Sequence, residues 1–95
     1  MLLPEAEADI TDAIRWYDAQ KRGLGRSFLD QLRSALDNVA HGPLRYQRVF
    51  GPTRRVLLRK FPYAVFYEIF ALTIVVLACL HTARDPEDWQ RRVLR

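Results

Sequence analysis

Two groups of side chains in this sequence could do chemistry. The first is His81 with Arg84, three residues further along in "HTAR". An imidazole titrates near neutral pH and can take or give a proton, and a neighbouring guanidinium stabilises developing negative charge. Together they suit phosphodiester cleavage, with His81 as general acid or base. The simpler role is structural, with His81 hydrogen-bonding the start of a tail helix and holding the corner there. The second group is "RRVLLRK", which carries Arg54, Arg55, Arg59 and Lys60 around three aliphatic residues. With Arg45 and Arg48 these cations fill a stretch without a single acid between Asp37 and Glu68. Such a cluster blocks unwanted pairing along a sheet edge, or it docks carboxylates or phosphates.

Other chemistries find no support in the sequence. His41 and His81 are far apart and Cys79 stands alone, so no metal-ligand spacing exists. No glycine-rich phosphate loop is present. Ser27 and Ser34 lie in a helical stretch with no nearby histidine, and Cys79 reads as a small buried hydrophobe. No cofactor is expected.

The 95 residues are 49% hydrophobic and 27% charged, which is ordinary for a globular chain and sufficient for one domain over 1–95. The net charge of +4 favours an anionic partner, either a nucleic acid or an acidic protein segment. Arginine supplies most of the positive charge and suits bidentate contact with carboxylates and phosphates. The start, "MLLPEAEADI", turns acidic at once and does not read as a secretory signal. With a single cysteine, nothing points to an oxidising compartment, and a cytoplasmic location is expected. The apolar run from Tyr63 to Leu80 holds only Glu68 as a charge, yet it is aromatic and β-branched, so it reads as two buried strands and not as a membrane span.

These side chains must be positioned by an α+β fold. Ala6, Ile10, Ala13, Ile14 and Tyr17 recur at helical spacing over Pro4–Gln20, with Trp16 flanking the stripe. Pro4 suits the first helical position, and Glu5 and Glu7 complement the helix dipole. Leu3 sits where a capping side chain is expected. Gly23 and Gly25 break the pattern. A second helix over 25–40 follows, with Phe28, Leu32, Ala35, Leu36 and Val39 on its buried side, and Gly42-Pro43 ends it. The short link predicts an antiparallel helical hairpin. Then the period changes, and three strands are predicted over 54–60, 63–69 and 74–80 as an antiparallel meander. Phe61-Pro62 marks the first turn, while the second, near "FALT", lacks any Gly, Asn or Asp. Apolar residues at both parities predict either a sheet covered by the helices on one face and a partner on the other, or a central strand buried on both faces. Asp85-Pro86 opens a short C-terminal helix.

Taken together, "A-x-x-D-I", "W-Y", "G-L-G-x-x-F", "R-R-x-L-L-R-x-F-P-Y-x-V-x-Y" and "H-x-x-R-D-P-x-x-W" run in order along nearly the whole chain. The set resembles the RelE/ParE superfamily of toxins from type II toxin–antitoxin modules, often called plasmid stabilisation proteins. The resemblance implies a helical hairpin on a small antiparallel sheet. It also implies a cognate antitoxin whose extended acidic segment wraps the toxin in a hetero-oligomer, with Arg54, Arg55, Arg59 and Lys60 holding its carboxylates.

The superfamily has two branches. The RelE-like branch cleaves mRNA on the ribosome, and here His81 and Arg84 would serve it. The ParE-like branch poisons DNA gyrase by binding. Where the nuclease branch carries an arginine within the strand at 63–67, this sequence has Ala64, and no tyrosine follows His81. These departures point to the ParE-like branch, with Arg84, Trp89, Arg91 and Arg92 as a target-facing patch. A third reading is a non-toxic basic module that binds nucleic acid directly, with affinity falling steeply with salt. Superfamily members begin with a full strand before "P-E-A", whereas only Met1 to Leu3 precede Pro4, leaving room for a short extra strand and an exposed sheet edge.

Overall fold

A computed structural model describes residues 1–93. Helix α1 (Pro4–Gln20) and helix α2 (Leu24–His41) form the expected hairpin. Its turn is tight for two reasons. Gly23 has φ +92°, a left-handed conformation that L side chains rarely adopt, and a Cβ on Gly25 would meet the Asp18 carboxylate at 2.7–2.8 Å. That close approach lets the Gly25 N–H donate to Asp18 Oδ1 at 2.8 Å, so Asp18 satisfies a helix-start donor that Gly23 cannot.

Strands β1 (Arg48–Phe50), β2 (Thr53–Leu57), β3 (Tyr63–Phe70) and β4 (Thr73–His81) follow as an antiparallel meander in the order β1-β2-β3-β4. Helix α3 (Glu87–Gln90) closes the chain. Among the described residues four strands therefore replace the predicted three. The additional one, β1, is only three residues long with Arg48 and Phe50 exposed, so it has no periodicity to read. The strand predicted over 54–60 starts one residue earlier and stops at Leu57. Pro62 forces the residue before it into an extended conformation and brings no N–H to a ladder, and Lys60 turns through φ 69°. Arg59 and Lys60 consequently sit in the β2–β3 turn and not on a strand.

The "FALT" turn is a two-residue loop in which Phe70 pairs with Thr73, while Ala71 and Leu72 take φ values of 50° and 64°. Two positive φ values identify a type I′ geometry, which favours Asn-Gly and here carries two residues with side chains. Each left-handed residue of this kind costs about 1–2 kcal/mol.

Apolar residues at both parities of β3 and β4 are explained by two cores, one on each face of the sheet. Val56, Leu58, Val65, Tyr67, Val76 and Cys79 face the helical hairpin. Ala64, Phe66, Leu77, Ala78 and Leu80 face the other way and are covered by the chain's own C-terminal segment through Trp89 and Val93. A bulge between Phe66 and Tyr67 shifts the β3–β4 register, letting Leu77 join the second core. Buried Glu68 accepts a hydrogen bond from the Thr53 hydroxyl at 2.8 Å, which partners the one charge in the Tyr63–Leu80 run. That run forms two strands, and among the described residues no helix is long and apolar enough to cross a membrane.

The sheet edge expected to be bare is partly covered. Leu2 makes a parallel bridge to Val76, Leu3 N–H donates to the Val76 carbonyl at 3.0 Å, and the Val76 N–H donates to Met1 at 2.8 Å. This bridge is all that corresponds to the short extra strand.

Candidate functional site

The β1–β2 ladder pairs only Arg48 with Arg54 and Phe50 with Thr53, so Val56 and Leu57 have no strand on that side. A groove of about 380 Å³ runs along this open edge, walled by Gln31, Ser34 and Asn38 of α2 and by Arg45, Arg55 and Arg59. Buried Val56 lies at its base, and the exposed Leu57, paired with Ala64, borders it while pointing to the opposite face. Lys60 lines the continuation of the groove beside Gln31 and Ser34. An open strand edge offers backbone hydrogen bonds to an extended peptide, and flanking cations select an acidic one.

The four predicted docking cations do not act alike. Arg59 and Lys60 are exposed and line the groove or its continuation, whereas Arg55, also exposed and bordering the groove, pairs with Phe66 and so projects on the face away from the helices. Arg54 is already engaged. Its Nη1 donates to the Tyr46 carbonyl at 2.6 Å and the Leu44 carbonyl at 3.3 Å, pinning the α2–β1 connection. Tyr67 pins the same connection through its hydroxyl, which donates to the Pro43 carbonyl at 2.6 Å; burial pushes that phenol's pKa up. Arg45, read only as part of the wider basic stretch, also lines the groove, with its Nη2 donating to the Asn38 carbonyl at 3.3 Å and its guanidinium over the Tyr46 ring.

At the far end of the sheet, His81 stands opposite Tyr63, their rings 5.5 Å apart and edge-on. The Ala83 N–H donates to His81 Nδ1 at 3.0 Å, so the neutral ring carries its proton on Nε2. The ring thus holds the turn that follows β4 and does not reach the start of α3, where the sequence reading places its hydrogen bond. Two concavities meet there. A small hollow of about 90 Å³ lies on the face away from the helices, between Arg55, His81, Thr82 and Arg84. A larger cleft of about 480 Å³ lies on the helical side, lined by Asp12, Trp16, Tyr63 and His81. Burial raises the Tyr63 phenol above its usual range, followed by the influence of Tyr17, with Arg84 opposing. Cys79 lies beneath this cleft with its thiol pushed up to about 12 by burial and by Asp9. It is an inert core thiol and no partner in catalysis.

The C-terminal residues expected to face a target are largely spoken for. Trp89 is 6% exposed and stacks on Phe66 with centroids 4.2 Å apart. Arg92 lies on Asp9, with Nη1 to Oδ2 at 2.7 Å and Nη2 to Oδ1 at 3.3 Å. Arg84 donates to Asp88 at 2.7 Å, which raises the arginine pKa and lowers that of the aspartate, and Arg91 reaches the same carboxylate at 3.4 Å. The structure thus brings the groove cations together but separates the C-terminal set, keeping Trp89 and Arg92 for packing.

The molecule is a helical hairpin laid on an antiparallel meander, with a cationic groove at its open edge. A family model described as the ParE toxin of type II toxin-antitoxin system, parDE, matches residues 1–86. The chain belongs to the ParE toxin family. No curated protein matches it. ParE toxins come from two-protein modules, so an antitoxin partner is implied for this ParE-family chain. The match ends at Pro86, so the covering Trp89 lies beyond it. Asp9 is the residue that sequence reading passed over. It lies in the quoted "A-x-x-D-I", yet nothing local shows that it accepts both the Cys79 N–H at 3.0 Å and Arg92.

Proposed function

We propose that this chain is the toxin of a type II toxin–antitoxin module, that an antitoxin neutralises it by laying an acidic extended segment along the α2–β2 groove, and that the freed toxin acts in the cytoplasm by binding DNA gyrase. The open edge of β2 beside Arg45, Arg55, Arg59 and Lys60 is the observation that carries the antitoxin half. An extended chain there gains main-chain hydrogen bonds from the strand and charge-assisted ones from the guanidinium groups. Membership of the ParE toxin family supports the toxin role, and the absence of an arginine at Ala64 supports a binding mechanism over cleavage.

Replacing Arg55 and Arg59 together by glutamate is expected to weaken antitoxin binding at least tenfold, mostly through slower association at low salt. Calorimetry or surface plasmon resonance with the purified cognate antitoxin measures this, and unchanged affinity removes the groove as its seat. Purified toxin in a supercoiling assay is expected to inhibit gyrase. Full supercoiling at excess toxin removes gyrase as the target.

The hollow between Arg55, His81 and Arg84 favours a second reading, cleavage of mRNA on the ribosome with His81 as general acid or base. His81→Ala discriminates. Under the binding mechanism the variant arrests growth as the wild type does, and under the nuclease mechanism arrest is lost while folding and antitoxin binding persist.

A further inference from the structure

The β3–β4 turn is built against the stability of the isolated protein. Ala71 and Leu72 both hold positive φ where Asn-Gly fits without strain. Leu72 is 100% exposed, Phe70 54%, and Ile69 is also exposed. Met1, likewise exposed, is tied to the same end by its ammonium, which donates to the Ile74 carbonyl at 3.0 Å. Strained backbone penalises folding, the bare apolar side chains contribute nothing to it, and strain of this kind gathers at binding sites.

The tip is also remote from the cationic end of the molecule. Tyr63 pairs with His81 at one end of the hairpin and Phe70 with Thr73 at the other, roughly 23 Å apart at 3.3 Å per residue. Arg59, Lys60, His81 and Arg84 gather at the first end, so an acidic segment in the groove leaves the tip uncovered. A second copy of the chain is a poor occupant. A few side chains fall short of the ~800 Å² per partner of a stable dimer, and two chains of charge +4 repel. A small protruding anchor suits a concave apolar pocket, where a few buried side chains dominate binding.

We infer that the Phe70–Leu72 tip is the anchor by which this toxin engages its target protein, entering an apolar pocket on it. The inference rests on the reading that the chain disables a protein by binding.

Two variants test it. Leu72→Asp places a charge on the tip. Ala71→Asn with Leu72→Gly keeps the turn, relieves its strain and removes the anchor. The double variant is expected to melt higher than wild type by several degrees, about 4–8 °C for each kcal/mol recovered. Both are expected to bind antitoxin within twofold of wild type, to lose growth arrest on induction, and to need at least tenfold more protein for half-inhibition of gyrase supercoiling. Because the double variant is the more stable, its loss of arrest cannot come from unfolding.

Full growth arrest by the double variant overturns the anchor. Wild-type toxin that arrests growth without inhibiting supercoiling removes gyrase alone, and the variants' growth arrest then decides the tip. A wild type that arrests nothing overturns both. Tip-dependent binding to phosphatidylglycerol vesicles, or a tip-dependent dimer in sedimentation, with growth arrest intact in the variants, overturns it in favour of that occupant.

Discussion

Arg92→Ala is expected to destabilise the protein by about 3–5 kcal/mol, seen as a fall in the urea midpoint with an unchanged slope. Its side chain and that of Asp9 are 17% and 10% exposed, and they meet in a two-pronged contact at 2.7 and 3.3 Å. Arg92 also donates to the Leu77 carbonyl at 3.2 Å. Removing the guanidinium leaves a nearly buried carboxylate facing only the Cys79 N–H, so most of the loss is the penalty of an unpaired charge. Asp9→Ala/Arg92→Ala should therefore be more stable than Arg92→Ala alone. If the single and double variants are equally destabilised, the unpaired charge is not the cause.

Trp89→Ala is expected to cost about 3–5 kcal/mol as well, by a different route. The indole stacks on Phe66 at 15° between planes and takes the edge of Phe50 at 5.9 Å. Without it, Phe66, Leu77 and Leu80 lose their cover. The melting temperature should drop by at least about 12 °C, and ANS fluorescence should rise under native conditions. Trp89→Phe should recover much of the loss, because a smaller ring still stacks. A melting temperature unchanged in Trp89→Ala would return this residue to the surface role that its sequence context suggested.

Much of the fold was legible because it repeats. The stripe through Ala6, Ile10 and Ala13 needs no tertiary information, and α1 begins and ends at the predicted residues. Density of β-branched and aromatic residues located β3 and β4, and apolar residues at both parities correctly implied two covered faces. What covers the second face was not legible. Trp89 and Arg92 look like a surface patch in a short polar tail, and only the fold brings them to Phe66 and Asp9. The cationic run was legible as composition but not as geometry. Arg54 turns inward to two carbonyls, and Pro62 moves Arg59 and Lys60 from strand to turn. The tip was legible as poor turn chemistry, since a turn without Gly, Asn or Asp is visible in one dimension.

The Asp9–Arg92 contact joins positions 83 apart. A ribosome making this protein must therefore pass codon 92 before the first helix can meet this guanidinium. Until then the sheet has one bare side, and a nascent chain in that condition is a substrate for chaperones and proteases. The first helix and the sheet are made before the residue that clasps them together, so there is an interval in which the newborn chain can still be intercepted.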